Sequence, residues 1–357
     1  AVGTDPDRRL LGGNIYGGCY NSGHVNGNVV INILQDVIKK DEIFGAGNST
    51  VELEDQRDDL NTLAMSVFGA GYGEDTEIWG STTVNHNNGY AFQIFGGGEQ
   101  GVVGKPRDVL NEHGQFDHKE YYFDPAFSST VNLNGASAIY SHDGTAEDLA
   151  EAEYLYGGGN EGDVCGNTYV NLGNGRIYDA FGGASDADIL GHTEVVIGRQ
   201  PNGSGGYKSG FPWVRDIVYG GNDFGGTIHG AYEDGFDATT RIRDYETYKT
   251  QMHGYAEGKH DSLLMASSYV EYLQGRVDTI FGGGYGYYDY TNEELYGVGC
   301  VMPRQKSAFV NLRPVNNDRN SINGVFGAGT GYPGNREDDK SQDRSYVLVD
   351  LTDENNE

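Results

Sequence analysis

Cysteine is scarce: Cys19, Cys165 and Cys300 are the only three in 357 residues. An odd set spaced this widely describes neither a disulfide framework nor a zinc site, and buried small side chains are the expectation. Proline is also sparse, at 8 residues. No apolar run approaches the roughly 20 residues a membrane-spanning helix needs, which excludes membrane insertion by a helix in this stretch. Positive charge is short as well, with 24 Lys and Arg against 53 Asp and Glu and a formal charge of −29. Nucleic acid is thereby excluded as a partner, because a phosphate backbone needs a basic face. An anionic membrane surface is disfavoured for the same reason. The acidic balance suits a secreted or surface-displayed protein, and carboxylates are the oxygen ligands that Ca²⁺ selects. The chain does not open on a basic n-region followed by an apolar segment, so a signal peptide is expected to have been removed.

What the chain has in abundance is glycine, 57 residues, and tyrosine, 26 residues, without the every-third-residue pattern of collagen. Both are organised by one phrase, an apolar strand ending in Phe or Tyr followed by two or three small residues. Tyr16, Phe44, Phe68, Phe95, Tyr156, Phe181, Tyr219, Phe281 and Phe326 are its anchors. After several of them a second strand carries a Gly-x-Thr-x-Val pattern: Gly80, Thr82, Val84; Gly166, Thr168, Val170; Gly191, Thr193, Val195. The first unit has Gly27, Val29 and Ile31 instead. Alternation of period two puts the Val row on one face.

The return path from that Val to the next anchor decides the architecture. Val84 to Phe95, Val170 to Phe181 and Val270 to Phe281 are each 11 residues, through NNGYAFQIF, GNGRIYDAF and LQGRVDTIF. Each path has a Gly corner followed by apolar alternation. A full unit, Tyr156 to Phe181, takes 25 residues and about three strand segments. That is too short for a propeller blade and lacks the helical half of a leucine-rich repeat. The expected fold is all-β: a right-handed single-stranded parallel β-helix, a solenoid of about eight or nine coils of roughly 25 residues with long loop insertions. The anchors should stack as an aromatic ladder. The glycines beside them are expected to let the chain turn where a Cβ would clash, and to supply φ > 0 at the corners. The unit after Phe44 is irregular, since its next strand, STVEL, begins after only four residues.

One domain is expected over residues 1–357, as a fragment or mature piece of a longer surface protein. Departures from the period place insertions near 99–127, 199–213, 224–265 and 285–306. The third contains a stretch compatible with a short helix. Solenoid insertions emerge as surface loops, where binding residues are most often carried.

Three constellations are candidates for chemistry. Tyr285, Tyr287, Tyr288, Asp289 and Tyr290, in YGYYDY, open an insertion and offer rings and hydroxyls to a glycan. The competing reading has these rings covering the end of the core. Glu161, Asp163, Asp186 and Asp188 follow Gly anchors in successive units and place carboxylates for Ca²⁺, although no D-x-[DN]-x-[DN]-G loop or GGxGxD array occurs. Solvated surface charge is the alternative there. His113, Asp117 and His118, or Arg241 and Arg243 with Tyr248 and Lys249, supply residue types for proton abstraction beside a uronate, but nothing in their spacing demands it.

The repeats LYGGGNEGDVCGNTYVNLG and GRIYDAFGGASDADILGHTEVVIG resemble the glycine-rich right-handed β-helix repeats of bacterial cell-surface, adhesin-like proteins, within the wider pectate-lyase-like superfold. The likeness covers the anchors and not the insertions. It implies a secreted or cell-surface location, an adhesin or structural role, a glycan or host-surface partner, and end-to-end self-association or continuation into further domains. Polygalacturonases of that superfold carry clustered Asp residues with Gly-His-Gly and Arg-x-Lys. Arg241–Arg243 reads Arg-Ile-Arg inside an insertion, so no catalytic residues carry over. The leading expectation is therefore a non-enzymatic adhesin with glycan-binding loops. A carbohydrate-active enzyme, a polysaccharide lyase or a glycoside hydrolase, and an inert or self-assembling spacer are the alternatives.

Overall fold

The computed structural model describes residues 13–33, 37–39, 59–61, 63–135, 150–251, 259–286, 303–315, 317–330 and 344–350. The protein is all-β and is built on two eight-stranded sheets in which every pairing is parallel. One sheet, here the anchor sheet, runs in chain order through Ile15–Tyr16, Leu63–Phe68, Gly89–Phe95, Ala150–Tyr156, Arg176–Phe181, Trp213–Tyr219, Arg276–Phe281 and Ser321–Phe326. The other, the valine sheet, runs through Val29–Ile33, Thr82–His86, Ser129–Asn134, Thr168–Asn174, Thr193–Ile197, Ser268–Tyr272, Ser307–Leu312 and Arg344–Val349. Between them lies a narrow third set. Tyr20–Val25, Tyr72–Ile78 and Val102–Val103 pair in parallel, bridges at Val164 and Ile189 continue the set, and Thr227–Ile228 pairs with Arg304–Gln305. Parallel neighbours require a crossover, and each pass of the chain supplies it by visiting the other faces before returning one strand further along.

Register turns each pattern position into a column. In the valine sheet Ile31, Val84, Val131, Val170, Val195, Val270, Val310 and Val347 are paired in succession. Most of this column is fully buried in the main core, with the inward residues of the anchor sheet. Only Val84, Val170 and Val195 carry the Gly-x-Thr-x-Val pattern; Val131, Val270, Val310 and Val347 lie outside it, and Ile31 follows Gly27 and Val29. On the outer side of the same sheet the amides of Asn85, Asn132 and Asn171 each donate to the Asn carbonyl oxygen one strand back, at 2.8–2.9 Å.

The aromatic anchors form a continuous column of their own. Tyr16, Phe68, Phe95, Tyr156, Phe181, Tyr219, Phe281 and Phe326 stack face to face, with centroids 4.6–5.3 Å apart and interplanar angles of 14° or less. Such ring pairs are worth about 0.5–1.5 kcal/mol each beyond the area they bury. Phe44, the ninth anchor, lies outside the described residues.

Of the two causes the sequence suggests for the glycine after each anchor, a clashing Cβ and a positive φ, the first holds. Gly182 does not adopt a positive φ. A Cβ on it would collide with the carbonyl oxygen of Gly220 in the next pass, and the same collision links Gly69 to Gly96, Gly96 to Gly157, Gly157 to Gly182, and Gly220 to Gly282. Close approach, not handedness, excludes a side chain here. The positive φ belongs to the opposite corner, at Gly89 (83°), Gly175 (100°) and Gly275 (130°), where the return path starts. The threonine of the Gly-x-Thr-x-Val pattern serves the glycine column. Thr82, Thr168, Thr193 and Ser268 donate their hydroxyls to the carbonyls of Gly96, Gly182, Gly220 and Gly282 at 2.5–2.6 Å, and Ser129 does the same to Gly157.

The return path also departs from simple alternation. Its inward residues are three apart, as in Ala91 and Ile94, Ala152 and Leu155, Ile177 and Ala180, and Val277 and Ile280. Two adjacent side chains between them therefore face outward. Of the insertions, residues 104–124 hold an exposed hairpin, Arg107–Leu110 with Phe116–Glu120, and Arg199–Pro201 pairs with Tyr207–Ser209 in a second. The 224–265 segment contains the α-helices Tyr245–Gln251 and Lys259–Leu264 and lies against Tyr269 and Phe309 on the outer side of the valine sheet. The 285–306 segment falls mostly outside the described residues.

Gly182→Ala should destabilise by about 1–3 kcal/mol through overpacking against Gly220, read as a fall in thermal midpoint. Gly13→Ala, where an added Cβ meets nothing, should leave it unchanged. A second test uses His86, fully buried between Ile33 and Leu133 in the valine sheet, with Nε2 3.0 Å from the Glu151 carbonyl oxygen. Burial pushes its pKa from 6.5 down to about 4. The unfolded chain then binds a proton the folded chain refuses, so this contribution is complete above pH 6.5 and is lost as pH falls toward 4. His86→Leu should flatten the acid limb of the stability curve by about 2–3 kcal/mol over that window, measured by urea unfolding.

Candidate functional site

The outward pairs of the return path collect on one surface, the outer face of the anchor sheet. Tyr154 is in register with Gln93 on one side and Asp179 on the other. The Phe92, Tyr154 and Tyr178 rings meet edge to face across three successive strands, at 5.7 and 6.5 Å. Tyr178 is exposed, and Tyr154 and Phe92 are half-buried. The next strand, Trp213–Tyr219, sets Arg215, Asp216 and Ile217 outward together between inward Val214 and Val218. The Arg215 guanidinium lies 5.9 Å from the Tyr178 ring, and the Tyr178 hydroxyl bonds Asp216.

Carboxylates crowd the margin of this ring run. Asp179 accepts the backbone N–H of Ile217 at 2.9 Å. Burial, assisted by Asp216 and Glu153, pushes its pKa up to about 6. Asp223, in the loop after the Tyr219 corner, accepts the Tyr156 hydroxyl at 2.9 Å and is pushed to about 7, by burial first and by Asp179 as well. The Tyr219 hydroxyl is raised chiefly by burial and then by Asp179, Tyr285, Asp223 and Asp216. These groups therefore form one electrostatic cluster. Glu153 accepts the Tyr90 hydroxyl at 2.9 Å. Chemically the surface offers apolar ring faces, hydroxyls and carboxylate acceptors, with two carboxyls that titrate near neutrality.

Among the residues proposed from sequence, Tyr285 reaches this surface. Its ring is 5.6 Å from Tyr219 and 41% exposed, and its N–H donates to the Asn222 carbonyl at 3.0 Å. Tyr287, Tyr288, Asp289 and Tyr290 lie outside the described residues. The acidic turns are placed elsewhere and engaged locally. Asp163 accepts the N–H of Asp188 at 2.9 Å, and Asp188 accepts the N–H of Thr227 at 2.7 Å and lies 3.2 Å from His229 Nε2. Glu161 accepts from Gln100 at 3.2 Å, and the Asp186 N–H donates to the Asn160 carbonyl. Among the described residues, no three His, Cys, Asp or Glu side chains converge as a metal site.

The groupings considered for proton abstraction are dispersed into other contacts. His118 pairs with Asp117 and His113 with Glu112 on the exposed hairpin. Lys249 pairs with Glu246, and Arg243 with Asp350. Arg241 is buried under the 224–265 segment, 4.2 Å from the Tyr269 ring centroid and 3.3 Å from Glu194, where it pins that segment to the valine sheet. Cys19 and Cys165 are both free, and burial pushes the Cys165 thiol up to about 12. Cys300 lies outside the described residues.

Tyr154, Tyr178, Asp179, Asp216 and Asp223 were not singled out by sequence patterns. The signal available was the paired polar and aromatic residues inside the return paths, read there as alternation. Comparison with protein-family models, curated proteins and solved structures returns no match.

Carboxyl-carbon NMR should find Asp223 titrating with a midpoint of about 7. Tyr156→Phe removes the hydrogen bond that favours the carboxylate, and should move that midpoint higher. A midpoint in the ordinary carboxylate range would contradict the enclosed placement of Asp223.

Proposed function

We propose that the chain is a right-handed, single-stranded parallel β-helix of about eight or nine coils, secreted or displayed at a cell surface as an adhesin or structural module, that binds glycan on the outer face of its anchor sheet. Two parallel eight-stranded sheets read in chain order support the solenoid reading, and the handedness follows the rule for parallel crossovers. The observation that carries the binding reading is the edge-to-face run of Phe92, Tyr154 and Tyr178, flanked by carboxylates and by half-open Tyr285. Ring faces bind the apolar C–H faces of sugars, and carboxylates accept sugar hydroxyls. The site thus lies mainly on the regular strands, with an insertion at its edge.

One observation favours a second reading, a carbohydrate-active enzyme: Asp223 and Asp179 hold pKa values near the range that acid–base catalysis uses. The two readings part in a single experiment. Soluble polysaccharides are incubated with the protein, and both retention and products are followed. The binding reading predicts retention without cleavage, and at least about tenfold weaker retention by a Tyr154→Ala/Tyr178→Ala variant of unchanged melting temperature. New reducing ends or unsaturated uronates would establish the enzymatic reading. Absence of retention by any glycan would sink the binding reading.

A further inference from the structure

The surface just described is unevenly charged. Glu153, Asp179, Asp216 and Asp223 act on one another or on the same tyrosine hydroxyls, and Arg215 is the cation that the described residues place against them. Two other basic side chains, Arg176 and Arg199, are committed elsewhere. Arg176 forms a two-bonded pair with Glu151 at 2.7 and 3.1 Å, and Arg199 bonds Asn171 and Glu194 on the valine sheet. The carboxylates are not saturated by internal donors either. Half-buried Asp179 takes one backbone N–H, a weak return for partly burying an anion, while buried Asp223 takes one tyrosine hydroxyl. Elsewhere on the chain, the acids Asp163 and Asp188 accept backbone N–H groups of the next pass and so extend the fold's own bonding.

We propose, building on the glycan-binding reading above, that the ligand of this face is a sugar chain bearing free amines. Its rings lie across the strands on Phe92, Tyr154 and Tyr178, and its ammonium groups sit against Asp179 and Asp216, which are both partly open to solvent. Uronates and sulfated sugars are repelled by the same carboxylates. An ammonium both neutralises the mutual repulsion of the acids and donates the hydrogen bonds they lack, and it packs against tyrosine faces. A neutral sugar donates hydrogen bonds through its hydroxyls but leaves the mutual repulsion in place. The ring run sets the direction of the chain, because three rings on three successive strands follow the stacking direction of the sheet.

The test is calorimetric titration of the full chain with a glucosamine tetramer, its fully N-acetylated counterpart and pentalysine, at a pH where the amine is protonated. The glucosamine tetramer should bind at least about tenfold more tightly than the N-acetylated one, and added salt should shrink the difference. Asp179→Asn/Asp216→Asn, which keeps the acceptor for the Ile217 N–H, should abolish that preference. Tyr178→Ala should weaken both sugars alike. Equal binding of the two tetramers would overturn the amine inference while leaving glycan binding standing. If neither binds, both readings fail. Pentalysine binding as tightly as the glucosamine tetramer, and indifferent to Tyr178→Ala, would replace the sugar with a basic peptide.

Discussion

The structure depends on one steric constraint: at the corner after each aromatic anchor, successive passes approach so closely that a glycine carbonyl occupies the space a Cβ would need. The same approach brings the Thr or Ser hydroxyl of one pass onto the glycine carbonyl of the next, so a buried acceptor is satisfied without lengthening the repeat. It also sets the ring column at stacking distance. The described excursions leave the chain elsewhere. The hairpin at 107–120 and the 224–265 segment precede valine-sheet strands, and the hairpin at 199–209 precedes an anchor strand. The chain thus varies freely where spacing is loose and keeps its phrase where it is tight.

The two sheets present different outer faces for reasons that trace to their strands. The valine sheet alternates strictly, so its outer side carries single columns: an asparagine column bonded to itself in the early passes, then Tyr269 and Phe309 under the 224–265 segment. Buried Arg241, paired with Glu194 and packed on Tyr269, fixes where that segment docks, a role in specificity that buried ion pairs fill better than one in stability. The anchor sheet, with inward residues three apart, exposes side chains in adjacent pairs. Rings and carboxylates from neighbouring strands therefore converge there, with Asp223 and Tyr285 added from the loops that follow.

Much of this was legible in the sequence, and the failures have physical causes. The anchors, the 11-residue return path and the Val column at Val84, Val170, Val195 and Val270 can be read by counting, because a stacked fold repeats its constraints at fixed spacing. Val131, Val310 and Val347 joined the column without the Gly-x-Thr signal, since only register reveals them. The glycines and the Cβ clash that requires them were read correctly, but the positive φ expected beside the anchors belongs to the opposite corner, because a close approach and a positive φ leave the same mark on a sequence. The ring-and-carboxylate face was missed because the inward residues Ile177 and Ala180 are three apart, so that both Tyr178 and Asp179 face outward where alternation would bury one of them. The contact of Tyr156 with Asp223, 67 residues apart, exists only once the passes are stacked.

The glycine column is most directly tested by native-state hydrogen exchange at the N–H groups of Gly96, Gly157, Gly182 and Gly220, which donate to the anchor carbonyls of the next pass at 2.8–3.0 Å. The account predicts that these amides exchange slowly and with one shared opening free energy, as parts of a single cooperative stack. Rapid and mutually independent exchange, as expected of surface turns, would contradict it.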